Sequence, residues 1–252
     1  MIELAVMERF GLLLVRPGVL IALAPALGGA HIPVPVTVGL TVLISVGLLP
    51  SINVPQGLPE LSLSVVIARE VVIGMSLGFA LRALIAGAEF AGHLSGHSIG
   101  FSYGATIDPQ SGVRNNMLAT LYGLLATLGF LAINGHHSVL RALVQSYGAL
   151  PIGGGHLDAS IVSSVRDILG LVFVVAVRLA APVIIVLTLI ELVVGLISRA
   201  SPALNSMVIG FPIKIIVGLA LVAALIPVIP AVTNSLLDTV LLTGAHMARA
   251  FR

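Results

Sequence analysis

Apolar residues fill this 252-residue chain from end to end, and charged residues interrupt them too rarely to cover a water-exposed surface. Only 9% of the residues are charged, whereas soluble proteins carry roughly 25%. Hydrophobic residues make up 58% of the chain, and the mean hydropathy is +1.16. Apolar surface on this scale is stable in lipid or against other membrane-inserted chains. The sequence therefore predicts a polytopic membrane protein.

The apolar stretches divide into about six helical segments, and none alternates between apolar and polar residues with strand period. An all-α fold is therefore predicted. The predicted segments are residues 10–27, 34–49, 65–90, 117–133, 166–198 and 207–229. A Gly-rich stretch at 92–112 is predicted to be non-helical, and Ser138 is predicted to cap an amphipathic continuation of the fourth segment.

Several function classes lack the residues that they need. The absence of cysteine excludes disulfides, thiolate metal sites and cysteine nucleophiles. The arginines are scattered singly, and phosphate binding needs several on one face, so we expect no nucleic-acid partner. No P-loop and no Gly-x-Ser-x-Gly motif occurs. We therefore expect no catalytic residues, no cofactor, and a protein that is not an enzyme.

Charged residues also lie within or beside the apolar segments, where each costs at least roughly 2.5 to 3.5 kcal/mol on insertion scales. They are Arg16, Glu70, Arg82, Arg178, Glu191, Arg199 and Lys214. Such groups either line an ion path, as in a transporter, or pair with one another and with neighbouring subunits. We favour pairing, because Glu70 and Glu191 both have cations nearby in the sequence.

Glu89, His93 and His97 recur every four residues, so the three side chains would form a polar stripe on one face if that stretch were helical. This set could hold zinc with water as the fourth ligand. The HExxH spacing of zinc proteases is absent, however, and Gly92 and Gly96 weaken the helix. A polar face that meets a pore or an interface is therefore favoured, and no metal site is predicted.

Several stretches, taken in their order and spacing, resemble the FliR/SctT family of type III export-gate proteins. They are RPG at 16–18 followed by Pro25, FSYGATIDP at 101–109, NGHH at 134–137, LPIG at 150–153, GLISRASPALN at 195–205 and GFPIK at 210–214 followed by Gly218. The resemblance extends over nearly the whole chain. It rests on the combination, because no single stretch is as specific as a metal-binding motif.

The resemblance implies an export-gate domain over 1–252, with a FliP-like portion at 1–200 and a FliQ-like portion at 201–252. It also implies helical hairpins that wind together with FliP and FliQ subunits into a channel for unfolded flagellar subunits. FlhA- and FlhB-type export proteins would be further partners. The location would be the bacterial inner membrane at the flagellar basal body.

The family has a loop that plugs the closed channel, and the matching segment here is 100–114. The resemblance assigns the lumen-filling side chains to Phe101, Tyr103 and Ile107, followed by a turn at Asp108 and Pro109. An apolar re-entrant loop that simply packs on its neighbours is the alternative for this segment. Irregular backbone at membrane depth needs shelter from lipid in either case.

A secondary transporter of ions or small solutes is the alternative function. Transporters of that kind often carry matching interrupted helices in two halves, and no such symmetry is visible in this sequence. The choice between a flagellar and a virulence-associated export system stays open, although the compact loops favour the flagellar one.

Overall fold

The computed structural model describes residues 2–29, 32–52, 60–101, 117–152, 160–201 and 206–249, and it contains helices and no strand within them. The described helices are α1 (Ile2–Leu23), α2 (Val34–Leu48), α3 (Glu60–Ile99), α4 (Met117–Ala132), α5 (Gly135–Ala149), α6 (Ser160–Ala200), α7 (Ser206–Leu225) and α8 (Val228–Arg249). The predicted all-α fold is confirmed.

Within these ranges, three stretches are long and apolar enough to cross a membrane: Leu63–Ile99 in α3, Val165–Ala200 in α6 and Val208–Leu225 in α7. Helices α4 and α5 meet at a 69° bend and together form a fourth candidate span. The polytopic membrane architecture is thus confirmed. The first two predicted segments, in contrast, correspond to the shorter apolar helices Phe10–Leu23 and α2.

Helix α3 corrects the predicted non-helical stretch, because it continues through Gly92 as far as Ile99. Gly92 does not break the helix; it allows α3 to pack closely against α4. A Cβ atom at Gly92 would lie 2.5 Å from Cα of Ala119, so only glycine lets the two backbones approach this closely. The remainder of the stretch, from 102 onwards, lies outside the described residues.

Two predicted helix ends were wrong. Helix α5 begins at Gly135 after Asn134, which has a φ of 58°, so Ser138 lies inside the helix and does not cap it. Helix α7 ends at Leu225 and not at 229, because Pro227 has no N–H to donate to the carbonyl of Ala223. The N–H of Ile226 bonds that carbonyl instead, at 3.3 Å, and α8 begins at Val228.

The chain forms two compact units. The first unit comprises Met1–Leu84, Phe130–Gly170 and Ser235–Arg252. In it, α1 packs against α3 at the Gly-x3-Gly pair Gly74 and Gly78. A Cβ atom at Gly74 would lie 2.8 Å from the carbonyl oxygen of Arg16, so these two helices touch through their backbones.

The second unit comprises Ile85–Gly129 and Leu171–Asn234. Its helix contacts also form at glycines, since a Cβ atom at Gly87 would lie 2.7 Å from Cβ of Val175 in α6. Phe90 and Phe173 extend this contact with an edge-to-face ring pair whose centroids lie 5.7 Å apart.

Candidate functional site

A buried ion pair joins α1 to α3 in the first unit. Arg16 is fully buried, and Glu70 is 1% exposed. The Nε and Nη2 atoms of Arg16 donate to the two carboxylate oxygens of Glu70 at 2.8 and 3.0 Å. This two-point geometry is the strongest form of a charge-assisted hydrogen bond between protein side chains.

Helix α5 and the residue after it supply the remaining acceptors for Arg16. Nη1 donates to the hydroxyl oxygen of Ser146 at 3.0 Å, and Nη2 donates to the carbonyl oxygen of Leu150 at 3.0 Å. The Ser146 hydroxyl in turn donates to the Leu143 carbonyl at 2.7 Å. The guanidinium therefore uses four hydrogen bonds to hold α1, α3 and α5 together, and it has little capacity left for a ligand.

Tyr147 completes the site and explains the proline that follows Arg16. Pro17 lies inside α1 and has no N–H, which leaves the carbonyl of Leu13 without its helical hydrogen bond. The Tyr147 hydroxyl donates to that carbonyl at 3.4 Å. The guanidinium of Arg16 lies over the ring of the same tyrosine, and the distance from Cζ of Arg16 to the ring centroid is 4.1 Å. The ring therefore adds a cation–π contact.

A second ion pair joins α6 to α7 in the second unit. The Nζ atom of Lys214 donates to Oε1 of Glu191 at 2.8 Å. The Lys214 side chain is 17% exposed and the Glu191 side chain is 66% exposed. The pair thus lies at the edge of the contact between the two helices, and Glu191 faces outwards.

The other charged residues singled out in the sequence are exposed in this chain. Arg82 lies on α3, Arg178 lies in the middle of α6, and Arg199 lies in its last turn. Of the proposed plug, Phe101 is 42% exposed at the end of α3. Tyr103, Ile107, Asp108 and Pro109 fall outside the described residues.

The polar stripe of Glu89, His93 and His97 does lie on one helix, α3. The Glu89 side chain covers Gly123 of α4, where a Cβ atom would lie 2.7 Å from its Cγ. His93 and His97 are exposed. Across the described ranges, no group of three His, Asp or Glu side chains is placed to hold a metal ion.

Sequence reasoning singled out Arg16 and Glu70 but missed Ser146, Tyr147 and the Leu150 carbonyl. A signal for the first two was present, because the buried residues of α5 follow a helical spacing. They are Gly135, Val139, Leu143, Ser146 and Tyr147. This spacing shows which face of α5 is buried, yet it cannot show which charge that face meets.

Comparison with known proteins points in one direction. The sequence profile of bacterial export proteins, family 1, matches residues 7–240. The flagellar biosynthetic protein FliR of Escherichia coli (strain K12) is 34% identical over 218 residues, covering 86% of this chain and 83% of that protein. FliR of Pectobacterium carotovorum subsp. carotovorum is 31% identical over 228 residues, covering 90% and 87%.

A similarity also reaches beyond flagellar proteins. The surface presentation of antigens protein SpaR of Shigella sonnei is 31% identical over 147 residues, covering 58% of this chain and 56% of that protein. The resemblance to FliR that the sequence motifs indicated is confirmed by these similarities.

Replacing Glu70 by glutamine should destabilise the protein strongly. Glu70→Gln keeps the shape of the side chain but leaves the buried Arg16 without a counter-charge, and breaking a buried pair in this way costs about 3–5 kcal/mol. Asp167→Asn is the matched control, because Asp167 and its partner Arg166 are exposed. Thermal unfolding of the protein in its native assembly in mild detergent measures both variants. Equal melting temperatures for the two would contradict the assigned role of the pair.

Tyr147 and Pro17 should be energetically coupled. Tyr147→Phe keeps the ring under Arg16 but leaves the buried Leu13 carbonyl without a donor, which should cost about 1 kcal/mol. In a Pro17→Ala background, residue 17 regains an N–H for that carbonyl, so the same tyrosine substitution should have almost no effect. A double-mutant cycle on unfolding in detergent measures the coupling. An undiminished effect of Tyr147→Phe in the alanine background would refute this role of the hydroxyl.

Proposed function

Because this chain belongs to the bacterial export proteins of family 1, whose members are export-apparatus components, we propose that it is a structural and gating subunit of a flagellar type III export channel. In this proposal it assembles with FliP and FliQ subunits in the bacterial inner membrane, at the flagellar basal body. The channel passes unfolded flagellar subunits, and FlhA- and FlhB-type proteins act beside it. A flagellar role is supported by the length of the matches to flagellar relatives, over 218 and 228 residues, whereas SpaR aligns over 147.

The observation that carries this proposal is the uncovered apolar surface of α6 and α7. In the most apolar 18 residues of Val165–Ala200, only 33% of the positions are buried within the chain. In Val208–Leu225 the buried share is only 17%. Exposed apolar side chains on α6 include Phe173, Ile185 and Leu192. A surface of this kind needs lipid or another protein to cover it.

The apolar run of α6 is longer than the hydrocarbon core of a membrane can cover. Residues 168–197 carry only two charges, Arg178 and Glu191, and this run of 30 residues spans about 45 Å at 1.5 Å per residue. A hydrocarbon core of about 30 Å accommodates about 26 helical residues even at a tilt of about 40°. About four residues of this run therefore extend beyond the hydrocarbon even at that tilt. Partner subunits that wind around this chain supply the missing cover.

The proposal assigns residues 1–200 to a FliP-like portion and 201–252 to a FliQ-like portion. Helix α6 ends at Ala200, directly before the proposed junction. The proposal also assigns Arg16 and Glu70 to the internal support of the subunit, since that pair is buried within one unit. The side chains of Glu191 and Arg199 are exposed, and that of Lys214 is partly exposed. The proposal assigns these three residues to contacts with neighbouring subunits.

Native mass spectrometry of the tagged chain, expressed from its own operon and extracted in mild detergent, tests the proposed assembly. We expect one copy of this chain with several copies each of two other small membrane proteins. A stable monomer or homodimer would overturn the proposal and favour the secondary transporter. Glu191 would then be the first carboxylate to replace, because Glu70 is already saturated by Arg16.

The segment 100–114 is proposed to plug the closed channel, with Phe101, Tyr103 and Ile107 in the lumen. Ile99 must be left intact in any test, because it is fully buried and contacts Gly218 in the second unit. We expect a triple variant, Phe101→Ser with Tyr103→Ser and Ile107→Ser, to leak ions through the assembled complex in planar bilayers. Val113→Ser in the same segment is the control. Unchanged conductance of a fully assembled triple variant would exclude the plug.

A further inference from the structure

Arg178 is a charged residue in the middle of a long apolar helix, and it has no partner in the described part of the protein. It lies on α6 with its side chain exposed. Exposed apolar side chains flank it along the helix on both sides, with Phe173 and Val177 before it and Ile185 and Leu189 after it. Arginine stays charged at any physiological pH, so this position cannot become neutral to lower its desolvation cost.

No placement of α6 in a membrane avoids an ionisable residue. The uncharged stretches of the helix are 160–165, 168–177, 179–190 and 192–198, and each is shorter than the about 20 residues that cross a hydrocarbon core. Any such crossing therefore contains Arg178, Glu191 or both. Glu191 is bonded to Lys214 within the chain, whereas no carboxylate among the described residues pairs with the guanidinium of Arg178.

The same chain shows how it accommodates an arginine in an apolar setting. Arg16 is held by both oxygens of a carboxylate from another helix, with further acceptors around it. A guanidinium binds a carboxylate in this forked geometry with better match and smaller loss of side-chain entropy than an ammonium would. Arg178 presents the same group on a face of α6 that no other described helix covers.

We propose that Arg178 is the docking point for a carboxylate on a membrane-embedded helix of a partner subunit, which packs on the exposed face of α6 at 173–189. The inference rests on the proposed function, because it needs partner subunits in the membrane. Two observations favour a protein carboxylate over a lipid phosphate. The apolar surface continues on both sides of Arg178, and the whole apolar stretch is longer than lipid can cover.

The test compares complexes purified from cells that express this chain with its partner subunits. Arg178→Glu should lower the yield of the assembled complex at least about tenfold, because it places two carboxylates against each other at low dielectric. Arg166→Glu is the matched control, since Arg166 is an exposed arginine near the start of the same helix, before the proposed docking face at 173–189. The control should give the yield of the unmodified complex.

A second measurement separates assembly from folding. Arg178→Met removes the charge and touches no hydrogen bond within the described residues, so the level of the chain expressed alone should not change. The yield of complex should still fall. Charge reversal of each intramembrane Asp or Glu of the partner subunits, one at a time, should then identify one site that restores assembly with Arg178→Glu.

Three outcomes would overturn the inference: full assembly of Arg178→Glu, failure of every charge reversal to restore it, or loss of a bound phospholipid from the complex in place of loss of a subunit. The last outcome, seen by native mass spectrometry, would assign Arg178 to a lipid phosphate. A chain that forms no complex even without substitution removes the proposed function itself and this inference with it. Assembly of the unmodified chain together with normal assembly of Arg178→Glu removes only the inference.

Discussion

The buried pair of Arg16 and Glu70 is the interaction on which the first unit depends. A charge without water or a counter-charge is so costly that the surrounding helices have to present acceptors at fixed positions. Helix α3 supplies a carboxylate, and α5 supplies a hydroxyl and the carbonyl beyond its end. The helix contact at Gly74 allows α1 and α3 to approach closely enough for this geometry. One side chain therefore fixes three helices, which separate apolar contacts could not do with the same specificity.

The second unit is built on a different principle. Its helices meet at small residues, and the ion pair between Glu191 and Lys214 lies partly exposed at the side of the α6–α7 contact. Much of the apolar surface of these two helices has no cover from the chain itself. One part of the chain is thus stabilised by its own buried ion pair, whereas the other part exposes apolar surface that lipid or another protein has to cover. Membership of an export-apparatus family accords with such a division.

The sequence alone predicted the fold class and most helices, because their apolar runs are long and their breaks are rich in proline and glycine. It failed at Gly92, where a glycine that looks like a helix breaker is instead required by the backbone of α4. It singled out Arg16 and Glu70 through their cost in an apolar segment, but the two lie 54 residues apart, and periodicity carries no information on which helices become neighbours. The same limit hid Tyr147, whose role depends on a carbonyl freed by a proline in another helix. Glu89 shows the converse, since its spacing with two histidines favoured one polar face, whereas its side chain lies over Gly123 and the two histidines are exposed.

The contact between Tyr147 and the carbonyl of Leu13 has a consequence for the biosynthesis of the chain. The two residues are 134 positions apart, and ribosomes add roughly 5–20 residues per second, so α1 waits about 7–27 s before its missing hydrogen-bond donor has been made. Throughout that interval the N-terminal helix holds an unpaired carbonyl beside an arginine that has not yet reached its acceptors on α5. The insertion machinery, or water at its lateral opening, has to satisfy both groups until α5 leaves the ribosome. Helix α1 is consequently synthesised well before the groups that complete its hydrogen bonds.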